Sequence, residues 1–584
     1  MGLNFKKTQK QKREFGINLK ECFLLAVFLY LILFSTAYFL KVPVVKSAVD
    51  YVIMGGNLNR IVYKTYLIEL AGEIPETVKT ELTNKLKDIE NNGTKRFVFD
   101  SNELTKSGRT NSRNLVKIEV KTKGYTGKNV LSSSYIVPVG HSYWIKDGIK
   151  TDDIKNSSLV VSSGEKLLVE KILKEKYGEG LKISESKDLK KKLKSTEGEI
   201  GFIDFNSLDS EFKLLELDGK YILEEFRESG NKEIVGGIPY IISVGDKSTD
   251  SIAINVIKFR SNELFKRTDF TKISKINMTG VTAISRSLAI KIEATKRYDY
   301  PAERIFEFLR DADLTHTSNE VSFVKGCVPS SGMRFCSNPN YIKTLEKIGV
   351  DVIELTGNHN NDFGSSNNAS TINMYKDKGW DYFGGGLNAD DAKKILYKEV
   401  NGTKIAFLGY NWYDTIYRTG AIASRSAAGA NSFSDAKIKS DIEKAKKEGA
   451  IVIVDFQFQE CYSYPENGGI YPICYKPLAN PDQKGVFRKA VDYGADIVIG
   501  TQAHQPQTYE IYKNKSIYYG LGNLFFDQIQ WIGTRQGLVL SHYFINGKHV
   551  QTKLTTTIYD SDMRPYVTTG SKRTELLKLL KEAR

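Results

Sequence analysis

The sequence predicts an α/β protein with an N-terminal transmembrane helix, a mixed α/β region and a larger layered α/β domain. Three observations predict it. Cys22–Leu40 is apolar and carries no charge, with about the length a helix needs to cross a bilayer core. Beyond it, short β-branched runs alternate with charged helical stretches. In the C-terminal half those runs end repeatedly in glycine-flanked polar turns, and an open α/β sheet holds its ligands at the carboxyl ends of its strands. The 584 residues, 41% hydrophobic and 26% charged, supply material for several cores. The excess of 84 Lys+Arg over 69 Asp+Glu gives +15. The lysines are interleaved with acids along stretches such as Lys182–Glu199, and no basic-aromatic stripe or C-x-x-C grid occurs. Nucleic acid is therefore not an expected partner.

Lys6, Lys7, Lys10, Lys12, Arg13 and Lys20 precede the apolar run, and such charge accumulates on the cytoplasmic side. The expected order is a cytoplasmic basic segment over 1–20, an anchor over 21–41, and the bulk of the chain outside the cytoplasm. A cleaved signal peptide shares the basic start. The length of the run and the lack of an A-x-A site before Val42-Pro43 favour a retained anchor in the cell membrane. Four further cysteines, Cys327, Cys336, Cys461 and Cys474, form two local pairs. An even number in an exported region points to two disulfides, and neither pair has the tight spacing of zinc ligands. Of the three pairings, 327–336 with 461–474 is the expected one.

Within 45–265, Tyr51–Met54, Val116–Val120, Tyr135–Val139, Leu159–Val161, Ile200–Ile203 and Tyr240–Val244 read as strands. Val78–Glu90 and Gly164–Tyr177 read as helices between them. A second domain spans 266–565, and a basic amphipathic helix spans 566–584. In the second domain Lys275–Ser285, Lys404–Asn411, Ala450–Gln459, Gly494–Gln507 and Ile517–Phe526 contain strands, expected to share one sheet edge. The central stretch is Gly349–Gly364. Its strand Val350–Leu355 breaks at Gly357 into Asn358, His359, Asn360, Asn361 and Asp362. That loop is either an Asx-rich turn bonding its own backbone or part of a ligand site.

Two resemblances add to this reading. Ser133–Asp152 together with Gly198–Asp209 resembles an extracellular solute-binding-protein module, which implies two lobes around a cleft, with Tyr143 and Trp144 expected in the core. Residues from about 273 to 560 resemble the CapA-type capsule-synthesis (poly-γ-glutamate) family, related to the calcineurin-like metallophosphoesterases. Five blocks carry this resemblance in order: Thr279–Thr282, Asn319-Glu320, Thr356–Gly364, Gly384–Ala392, and Gly494–Gln507 with Tyr518–Asn523.

The second resemblance implies a divalent metal held by Asn358, His359, His504 and Glu320, with Asp362, Asp455, Gln502 and Asn523 as helpers. His359 and His504 would be catalytic, a metal-bound water attacking a phosphoryl or amide centre while His359 protonates the leaving group. The departures from the family pattern are specific. Val281 follows Gly280 where the family has Gly-Asp. The His-Trp-Gly-x-Glu-Tyr motif falls on Phe456–Cys461 and keeps only Glu460, and the paired histidines become Gln502 and His504. Two readings follow. One is a membrane-anchored, extracytoplasmic, metal-dependent hydrolase of capsule or poly-γ-glutamate synthesis. The other is a non-catalytic binding or assembly protein whose two histidines are structural. Both imply the membrane and an anionic envelope polymer, or its synthesis machinery, as partners. A solute receptor acting through 45–265 alone is the third.

Overall fold

A computed structural model describes residues 27–33, 35, 64–87, 95–99, 115–122, 129–228, 234–245, 254–255, 257, 269–459 and 475–584. Of the expected anchor, residues 27–33 and 35 are described, and they are helical. Its other residues, segment 1–20, Tyr51–Met54, Glu460, Cys461 and Cys474 lie outside the described residues. Among the described residues no helix is long and apolar enough to cross a membrane.

The chain divides into two compact units. One takes the described residues within Met1–Glu119, Gly127–Leu131 and Ile242–Phe265; the other takes those within Val120–Thr126, Ser132–Ile241 and Lys266–Arg584. In the first unit Lys64–Leu70 is flanked by two parallel neighbours, Lys95–Val98 and Leu115–Lys121. The helix Glu76–Lys87 follows the first of these strands.

In the second unit, Val130–His141 pairs antiparallel with Ile200–Asp204 and Phe212–Leu214, and Ser158–Ser162 lies parallel to Lys182–Ser186 and Ile200–Asp204. The strands read from 135–139, 159–161 and 200–203 therefore exist, each extended by a residue or more. Tyr143 is 8% exposed and stacks on Tyr509 with ring centroids 5.1 Å apart. Trp144 packs over Gly140, where an added Cβ would lie 2.1 Å from the indole.

Among the described residues the larger domain contains two large sheets, and a two-stranded pairing of Gly385–Gly386 with Gly429–Ala430, not the single sheet expected from the sequence. The first runs in the order Asp381–Phe383, Val352–Glu354, Leu314–Asn319, Ile273–Thr282, Gln536–Ile545, Lys548–Tyr559, Pro565–Val567, with Asn523–Phe525 also paired to Ile273–Thr282. The second runs Leu396–Val400, Thr403–Asn411, Ile451–Gln457, Ile497–Thr501, Lys515–Leu521, Pro506–Tyr512. Both are parallel at their centres. The reason for two sheets is visible in the pleat, because successive side chains leave a strand on opposite faces. Val352 and Ile453 pack in a core shared by both sheets, with Ile276, Phe407 and Leu540. Ile353 instead joins a core with the helices Arg286–Thr295 and Ile342–Ile348, and Val454 one with Asp435–Lys447 and Gln483–Asp492. Strands buried on both faces read as continuous apolar runs, so the sequence does not say which runs belong to which sheet.

The hairpin Gln536–Ile545/Lys548–Tyr559 was not expected. Its signal was present: Asn546-Gly547 sits between the strands with φ of 51° and 74°, the pair a two-residue hairpin turn favours.

Lys275, only 2% exposed, joins two segments of this unit. Its Nζ lies 2.6 Å from Glu224 Oε1 and 2.8 Å from Asp311 Oδ2. Removing one partner of a buried pair strands the other charge. Lys275→Met is expected to cost about 2–3 kcal/mol in urea unfolding, less than for enclosed pairs because Asp311 is largely exposed. Unfolding midpoints matching wild type would contradict that role.

Candidate functional site

The polar residues singled out above lie at the carboxyl ends of parallel strands from both sheets. Glu320 follows Leu314–Asn319, and Asn358 and His359 follow Val352–Glu354. Gln457 ends Ile451–Gln457, and Gln502 and His504 follow Ile497–Thr501. The residue that joins them is Gln457, which the motif comparison passed over. Its Nε2 donates to Asn358 Oδ1 at 3.0 Å, to Gln502 Oε1, and at 3.5 Å towards Glu320 Oε2. Gln502 has φ of 82°, a left-handed conformation that costs a non-glycine residue of order 1 kcal/mol. That strained backbone positions its carboxamide against Gln457.

The departure placed at Phe456 therefore needs correction by pleat parity. Phe456 and Phe458 face the helical layer, with Phe456 against Phe433 and Phe487 and Phe458 against Trp412. Asp455 and Gln457 face the other sheet.

Asp455 does not reach the strand-end cluster. It lies deeper, fully buried beside His316 and Glu354. His316 Nε2 is 3.3 Å from Asp455 Oδ2, but the two are not aligned for a hydrogen bond and all four polar atoms of the pair lack hydrogen-bond partners. Burial, and then the Asp455 charge, push the Glu354 carboxyl up to about 8. Burial also raises Asp455, against the opposing pull of His316.

The two histidines are held separately. His359 Nδ1 lies 2.7 Å from Asp362 Oδ2, and His504 Nδ1 lies 2.8 Å from Asn523 Oδ1. A carboxylate on Nδ1 selects the tautomer carrying Nδ1–H and leaves Nε2 as the basic nitrogen. The rings are linked through two phenylalanines. Phe335 is 4.2 Å from the His359 ring, Phe526 is 5.0 Å from that of His504, and the phenylalanines are 5.8 Å apart. The Arg286 guanidinium lies over both phenyl rings, at 4.8 and 4.7 Å, and pairs with Asp527. Phe335 belongs to a loop closed by the Cys327–Cys336 disulfide, half of the expected pairing. Nothing in the sequence pointed to Arg286, Phe335 or Phe526, because their roles arise only from tertiary proximity.

A family model described as bacterial capsule synthesis protein PGA_cap matches residues 275–528. This domain belongs to that family. The chain is similar to the capsule biosynthesis protein CapA of Bacillus anthracis, 28% identical over 345 residues, covering 56% of this chain and 76% of the relative. It is also similar to the PGA biosynthesis protein CapA of Bacillus subtilis (strain 168), 28% identical over 208 residues, 35% of this chain and 50% of the relative. The crystal structure of an ABC-type phosphate transport receptor from Vibrio cholerae aligns over 34% of this chain and 94% of its own, at 10% identity and a TM-score of 0.25. A TM-score of that size does not establish a shared fold.

Among the described residues, those at the strand ends of the capsule-synthesis domain do not fit a divalent metal. Such an ion needs converging oxygens or imidazole nitrogens. Among the described residues no group of three His, Cys, Asp or Glu side chains could hold one. Val281, 1% exposed, is an apolar side chain where a carboxylate was expected. The Asn358 and Gln502 oxygens are already accepting from Gln457. Glu320 Oε1 is buried without a hydrogen-bond partner, but one carboxylate oxygen is not a site. What the arrangement shows is a set of carboxamides bonded to one another, with Gln457 and Gln502 buried, beside two oriented imidazoles.

Proposed function

We propose that this chain acts in the biosynthesis of a capsule-type polymer as a binding or assembly protein, with a capsule-synthesis domain that works without a divalent metal. The observation carrying this reading is Gln457, whose amide hydrogens occupy the centre where a metal would need a lone pair. The two Bacillus relatives, a capsule biosynthesis protein and a PGA biosynthesis protein, support the process. The uncharged run Cys22–Leu40 behind six basic residues supports placing the protein in the cell membrane, with its bulk outside the cytoplasm. Polymer and synthesis machinery would meet it there.

The test is elemental analysis of the purified chain after equilibration with zinc, manganese and magnesium, together with turnover of a generic phosphodiester. The expected result is substoichiometric metal and no turnover above buffer. A stoichiometric metal, with turnover abolished in His359→Ala, would replace this reading with the metal-dependent hydrolase.

A further inference from the structure

Away from the central loop, the second unit contains a polar cleft of about 800 Å³. It is lined by seven Lys or Arg side chains and three carboxylates. The cations come from three elements: the helices Leu189–Ser195 and Gln483–Asp492, and the end of Gly570–Glu582.

Part of this charge is neutralised internally. Glu510 receives Arg488 at 2.8 and 2.7 Å, Lys190 lies between Asp209 and Glu211, and Lys581 pairs with Glu197. Lys191 and Lys194 are both exposed on their helix, and among the described residues neither has a carboxylate within ion-pair distance. Arg584 lies over the Tyr143 ring instead of an acid. The field in the cleft is felt by His141, on its wall. Burial, reinforced by Arg584, Lys194 and Lys581, lowers that imidazole to about 4, so it stays neutral and adds no charge at neutral pH.

From this geometry we infer that the cleft binds a flexible polyanion, a chain of closely spaced carboxylates or phosphates. Lys484 also lies 3.9 Å from Glu510, so the unpaired cations are Lys191 and Lys194 on one helix and Arg584 beyond the end of another. A single small anion would engage one of these places, whereas a chain of repeated charges would engage both. Each contact releases a counterion or replaces a solvated one, so affinity should be strongly salt-dependent. The inference rests on the cleft alone and does not depend on how the central site is read.

The test measures fluorescence anisotropy of labelled polyglutamate and labelled polyphosphate with the full chain in neutral detergent, between low and moderate salt. Saturable, salt-weakened binding to either polymer is expected, and comparing the two identifies the anion. Lys191→Glu/Lys194→Glu should weaken it at least tenfold, and Lys191→Gln/Lys194→Gln should lower the salt slope by about two, one per lost contact. Lys444→Glu/Lys447→Glu, with the same change in net charge on another helix, should bind like wild type. Equal weakening by the two charge-reversed pairs would overturn the assignment. So would displacement of the polymer by inorganic phosphate or short-chain phosphatidylglycerol at equal charge concentration, because a small anion or a lipid headgroup would then suffice.

Discussion

Between pH 5 and pH 8 the wild-type protein is expected to lose stability, and Glu354→Gln is expected to remove much of that loss. Glu354 is fully buried. Its Oε1 accepts from the Thr356 amide at 2.6 Å, while Oε2 has no hydrogen-bond partner. Burial and the neighbouring Asp455 raise the carboxyl from 4.5 to about 8. Folding therefore takes up a proton across that interval, because the unfolded chain releases it near 4.5 and the folded chain holds it. The stabilisation from the protonated group is complete below the unfolded value. It falls by up to about 1.4 kcal/mol per pH unit and is lost as pH passes through the folded value. Glutamine keeps the shape, cannot ionise, and places an amide donor where Oε2 has none. Near pH 8 the variant should be more stable than wild type by about 2–4 kcal/mol, with the gap closing towards pH 5. Urea unfolding of both proteins at unit pH steps measures this; parallel stability curves would remove Glu354 as the cause.

Gly357→Ala is expected to destabilise the chain by about 2–4 kcal/mol, towards the upper end of overpacking, and to disperse the strand-end cluster. An alanine Cβ would lie 2.3 Å from Glu320 Cβ and 2.4 Å from its Cα. Neither side yields readily. The Glu320 amide donates to Thr282 O at 3.1 Å, and the Gly357 carbonyl accepts from Asn360 Nδ2 at 3.2 Å. The requirement is for close approach and not for an unusual φ, so any side chain meets the same obstacle. Gly180→Ala is the control, since an added Cβ there meets nothing within 4 Å. Thermal melts in which the two variants unfold together would show that the loop adjusts without cost.

Local pattern alone located much of this protein. The strands at 275–282, 404–411 and 497–501, the break at Gly357 and the helix near the C-terminus are written in short-range composition, and short-range composition decides whether a segment forms a strand, a turn or a helix. The chain order of the five blocks likewise placed the residues of the strand-end cluster. Tertiary structure decided everything that depends on which face of a strand looks where. A shift of one residue reverses every side chain, so the boundary between Phe456 in the helical layer and Gln457 in the cluster could not be read from an approximate motif match. Two sheets were needed to bring Asn358 and Gln457 together, and apolar runs buried on both faces carry no mark of sheet membership. Arg286, Phe335 and Phe526 became neighbours of the two histidines only through packing. The cleft cations, read along the chain as solvated helix faces, converge from three distant segments because charge on a surface is additive in space and not in sequence.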